Sequence, residues 1–126
     1  NARQVVRWLE DKDYANKPFF IALGLQKPHV PFLAPDKYFD LYPFDKITYK
    51  TDRLNLWDFL PQSALSKRYE AFGFNFAKEN HALRKEYMQA YHACVSFIDA
   101  QLGLVMDSLK KQDLWEDTVI RSYRCQ

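Results

Sequence analysis

The sequence predicts an α/β fold with parallel central strands packed by a long helix, and three stretches carry that prediction. Phe19 to Leu25 is an unbroken apolar run of seven residues, the pattern of a strand buried on both faces of a parallel sheet. From Asn80 to Lys111 a single apolar stripe, Leu83, Tyr87, Ala90, Tyr91, Cys94, Val95, Ile98, Leu102, Val105, Met106 and Leu109, steps by three and four. That spacing predicts one long core-facing helix. Thr118, Val119 and Ile120 then begin a second strand.

The elements follow in order. Asn1 to about Asp11 reads as a helix, because Val5, Val6 and Leu9 form an apolar stripe with Trp8 beside it. Asp11 to Lys17 is a polar loop leading through Pro18 into the first strand. A helix followed by a buried strand is half of a βαβ unit, whose other half would be a parallel strand ahead of it. Pro28 ends the strand, since proline can neither donate a ladder bond nor continue one. Gln26, Lys27 and His29 gather at that end, where ligands bind in open α/β sheets. Pro28 and Pro31 flank His29 and stiff backbone on both sides holds the imidazole.

Pro35 fits the first turn of a short helix through Leu41, stopped by Pro43. Phe44 to Pro61 has no period, and sets Asp45, Lys46, Asp52, Arg53, Asn55 and Asp58 among Tyr49, Trp57 and Phe59. It reads as a packed irregular insertion that shapes one wall of a pocket. A modest helix is expected from Gln62 to Phe72, with a break at Gly73. Asn80 is a fair cap for the long helix, and Lys110 and Lys111 suit the negative end of its dipole. After Ile120 the pattern changes. Arg121, Ser122 and Arg124 arrive too early for a central strand of about five or six residues.

At 126 residues the chain has the length of one domain. A net charge of +2 without a basic block gives no reason to expect nucleic acid as a partner. The longest apolar run is seven residues, well short of the roughly 20 that span a bilayer, and the amino end has no signal-peptide pattern. Cys94 and Cys125 are too few for a disulfide framework. Cys94 falls inside the apolar stripe and reads as an inert core thiol. His81 and His92 form no zinc motif, and Asp99 and Asp107, eight apart on one helix, read as surface charge. The aromatic run from Tyr38 to Phe44 is assigned to packing.

Four segments carry a resemblance to a known family: Lys17-Pro18-Phe19-Phe20, Lys27-Pro28-His29-Val30-Pro31-Phe32, Pro35 through Pro43, and Tyr91 through Gly103. Together they resemble the sulfatases of the alkaline-phosphatase-like superfamily, within it the iduronate-2-sulfatase-like branch. The resemblance implies a partial alkaline-phosphatase-like fold and hydrolysis of sulfate esters above the carboxyl ends of a large mixed sheet. In that family a formylglycine, made within a Cys/Ser-x-Pro-Ser-Arg motif, is the nucleophile, and a divalent cation, usually calcium, assists it.

Neither cysteine here stands in such a motif, and the Asp-His-Gly metal segment expected after Thr118 is replaced by Arg121 to Gln126. The resemblance therefore implies that residues 1–126 are an internal fragment of a sulfatase catalytic domain, with no metal ligand of their own, an aberrant tail over 121–126 and no activity or firm stability alone. By resemblance His29 contacts the sulfate and protonates the leaving alcohol oxygen, while Lys27 helps to neutralise the sulfate. Gln26 departs from the family, which commonly has His there. Implied partners are a sulfated carbohydrate or other sulfate ester and the remainder of the domain; the implied compartment is exported, periplasmic, extracellular or lysosomal. The competing expectation is a non-enzymatic interaction module that docks through the helix at 80–111.

Overall fold

The computed structural model describes residues 1–12, 14, 17–49, 61 and 81–123. The described residues form the α-helices α1 (Ala2–Asp11), α2 (Asp36–Phe39) and α3 (His81–Lys111), with a 3₁₀ turn at Phe44–Lys46. The chain divides into two compact units, one of Asn1–Val30 with Val95–Gln126 and one of Pro31–Cys94, so that α3 contributes to both.

In the first unit α1 buries Ala2, Val5 and Leu9, the face that helical spacing puts on one side. Val5 and Leu9 pack with Leu109 of α3, and Phe19, Ile21, Leu23, Val105 and Leu114 close around them. The carbonyl of Asn1 accepts the amides of Gln4 and Val5. Its side chain makes no capping bond; Nδ2 instead donates to the Gly24 carbonyl at 2.8 Å. The far end of α3 stops in a defined way. Asp113 adopts φ 56°, Leu114 N–H reaches the Leu109 carbonyl and Asp113 N–H the Lys110 carbonyl. This is a Schellman cap, completed by the apolar contact between Leu114 and the cluster around Leu109.

The apolar run behaves differently from its expected strand. Between Pro18 and Gln26 the backbone makes no ladder with any described residue. Phe19, Ile21, Leu23 and Leu25 are half-buried while Phe20, Ala22 and Gly24 are exposed, and Phe20 is 93% exposed. One face is packed and the other is bare. The expected stretch at Thr118–Ile120 likewise forms no strand, and Val119 is 87% exposed. The parallel central strands are thus not formed among the described residues. The physical reason is that a strand exists only as a pair, and no second extended segment among the described residues supplies the hydrogen bonds. Of the α/β expectation, the described residues show helices and no strand.

In the second unit α2 is shorter than the expected helix through Leu41, and Pro35 stands just before it with extended backbone, φ −60° and ψ 145°. Phe32 meets Tyr87 and Tyr91 edge-on, with centroids 4.6 and 5.7 Å apart. Tyr42 stacks on His92 at 5.2 Å, and Gln89 Nε2 donates to the Tyr42 carbonyl at 2.7 Å. Ile47, Ala93 and Cys94 are buried. The stretch 50–60, the helix expected over Gln62 to Phe72, the Gly73 break, the Asn80 cap and residues 124–126 with Cys125 lie outside the described residues.

Candidate functional site

The packed face of the extended segment fixes where its carboxyl end lies. Phe19, Ile21 and Leu23 anchor it on α1 and α3, and the Asn1 side chain ties down Gly24. The chain then turns over Gln26 to His29, with His29 N–H donating to the Gln26 carbonyl at 3.0 Å and a cis Lys27–Pro28 bond. This turn carries both sequence-predicted site residues. His29 is exposed and Lys27 half-buried. Lys27 Nζ donates to the His29 carbonyl at 3.4 Å, and His29 Nδ1 lies 2.7 Å from the Val30 carbonyl oxygen.

A fixed positive charge and a ring that carries or accepts a proton therefore share one short turn that faces water. Such a pair suits an anion with an ester oxygen to protonate. Gln26 is exposed on the same turn. Other titratable side chains have settings of their own. His81 Nδ1 is hydrogen-bonded to the Tyr49 hydroxyl, His92 is stacked on Tyr42, and Asp99 and Asp107 are exposed on α3. Cys94 is fully buried, which suits packing and not nucleophilic attack.

Among the described residues no three His, Cys, Asp or Glu side chains come together in a way that could hold a metal ion. The calcium implied by resemblance thus finds no donor set on them. A groove of about 440 Å³ in the first unit, lined by Val6, Glu10, Leu104, Ser108 and Lys111 among others, mixes charges of both signs and converges on no single group. Two features escaped the sequence reading. The Val30 carbonyl is invisible as a partner for His29, and the Asn1 side chain is a strap to Gly24, a contact that the helical reading of Asn1 to Asp11 does not contain. The signal for the second is slight: an Asn before a helix that has no capping box.

Comparison with known proteins gives the family. The family model described as Sulfatase matches residues 1–122. The chain is 39% identical to a sulfatase of Formosa agariphila over 122 residues, covering 93% of this chain and 24% of that protein. It is 30% identical to iduronate 2-sulfatase of Mus musculus over 130 residues, covering 95% and 23%, and 29% identical to choline-sulfatase of Rhizobium meliloti over 115 residues, covering 88% and 22%. The chain thus spans about a quarter of the length of these curated relatives. No solved structure matches it. With the match running through α1, the extended segment, the Lys27–His29 turn and all of α3, the chain belongs to the sulfatase family.

Proposed function

We propose that the protein containing this chain hydrolyses sulfate esters, with a sulfated sugar as the substrate class, and that His29 and Lys27 act at the scissile group. The observation that carries the reading is the placement of both on one solvent-facing turn at the carboxyl end of an anchored apolar segment. Family membership supports the reaction class, and the similarity to iduronate 2-sulfatase of Mus musculus supports the sugar.

The division of labour follows from charge. As the sulfur–oxygen bond breaks, negative charge grows on the departing alcohol oxygen, and a proton from the His29 imidazolium neutralises it. Lys27 offsets charge on the sulfuryl oxygens. Two unit charges 4 Å apart are worth only about 1 kcal/mol in water and about 4 kcal/mol at an effective dielectric of 20. An exposed turn is therefore a weak anion site until other walls exclude water from it. Most of those walls, the nucleophile and the ligands of the divalent cation belong to residues outside this chain, which alone is inactive in this reading.

The test is His29→Ala in the full-length protein. Loss of a general acid lowers kcat by about 10²–10⁴-fold, with the protein still folded. Near-normal turnover in a folded variant removes His29 from the reaction. Competition among an iduronate 2-sulfate sugar, choline sulfate and an aryl sulfate decides the substrate class; preference for choline or aryl sulfate would replace the sugar.

A further inference from the structure

We propose that the Val30 carbonyl sets the tautomer of His29, so that Nδ1 always carries a proton and Nε2 is the nitrogen that meets the sulfate ester. The inference rests on His29 being the residue at the scissile group. A carbonyl oxygen only accepts, so a ring nitrogen 2.7 Å from it must be an N–H donor. The neutral ring has one N–H, which the Val30 carbonyl holds on Nδ1; no described residue bonds Nε2. Val30 precedes Pro31, whose ring restricts Val30 to extended backbone and so limits the directions its carbonyl can take.

This gives the ring one working nitrogen. In the imidazolium both nitrogens carry protons; as the sulfuryl group passes to the attacking oxygen supplied by the rest of the protein and its bond to the alcohol oxygen breaks, Nε2–H goes to that alcohol oxygen, and the ring is left neutral with its remaining proton on Nδ1. No tautomer exchange is needed between turnovers, because the next proton returns to Nε2. The Val30 carbonyl is a positioning group: it touches no substrate and acts through the ring, as the partners that orient a catalytic or metal-bound imidazole do.

Two variants of the full-length enzyme separate the nitrogens. The amide nitrogen of His29→Gln reaches the place of Nε2, and that of His29→Asn the place of Nδ1. The Gln variant is expected to keep KM for the sulfate ester within a few-fold while kcat falls at least about a hundredfold, since an amide releases no proton; the Asn variant is expected to raise KM as well. The reverse order, with Asn holding the substrate and Gln not, overturns the assignment. In ¹⁵N-histidine-labelled enzyme, the His29 signals, assigned by their loss in His29→Gln, should show the neutral ring protonated at Nδ1. Protonation at Nε2 overturns it. If both variants turn over like the parent, the role of His29 in hydrolysis fails, and the nitrogen spectra still decide the tautomer.

Discussion

The first unit centres on the aliphatic side chains of Val5, Leu9 and Leu109, with Phe19 and the Asn1 strap around them, whereas the part of the second that is described is joined chiefly by ring edges, ring stacks and a side-chain hydrogen bond. Burial of aliphatic groups is non-directional and tolerates any partner of the right volume. Aromatic edges and a Gln89 amide need particular partners at particular angles. The difference teaches where each unit is vulnerable: the first to lost volume, the second to lost geometry.

Leu9→Ala is the strongest way to break the comparison. Leu9 is only 1% exposed, and such truncations cost about 2–5 kcal/mol; denaturant unfolding of the full-length protein should show it, and a cost under about 1 kcal/mol would mean the aliphatic cluster is no core. A Phe32→Leu and Tyr87→Leu double-mutant cycle sharpens the other side. Coupling of about 0.5–1.5 kcal/mol is expected from the edge-on pair, and additive losses would reduce those rings to plain bulk. Ser108→Ala has the smallest effect and the opposite sign. Ser108 is 4% exposed and its Oγ has no partner among the described residues, so alanine should raise the melting temperature through a gain of about 0.5–1 kcal/mol. A lowered melting temperature would reveal a partner for that hydroxyl.

The helices were legible because their signal is local. Val5 and Leu9 sit on one face of α1, and Leu109 lies in the stripe that predicted α3. Even so, the stripe overstated burial: Tyr91, Val95 and Leu102 remain substantially exposed. The strand expected from the same kind of pattern is unpaired among the described residues, since an apolar run from Phe19 to Leu25 records hydrophobicity but not who sits alongside. The Lys27–His29 turn was found from Pro28 and from the residue types around it. What the imidazole bonds to was not, because the direction of the Val30 carbonyl is set by backbone angles that residue identity only limits.

One consequence concerns the company this protein keeps before its fold is finished. Pro18 to Gln26 holds no ionisable side chain, and its main-chain amides and carbonyls are largely unclaimed by the described residues. A second copy of the same stretch presents the matching donors and acceptors at the spacing of about 4.8 Å that stacked strands adopt. Shortened forms that leave this ribbon uncovered are therefore expected to self-associate edge to edge, with the exposed Phe20 adding to the contact.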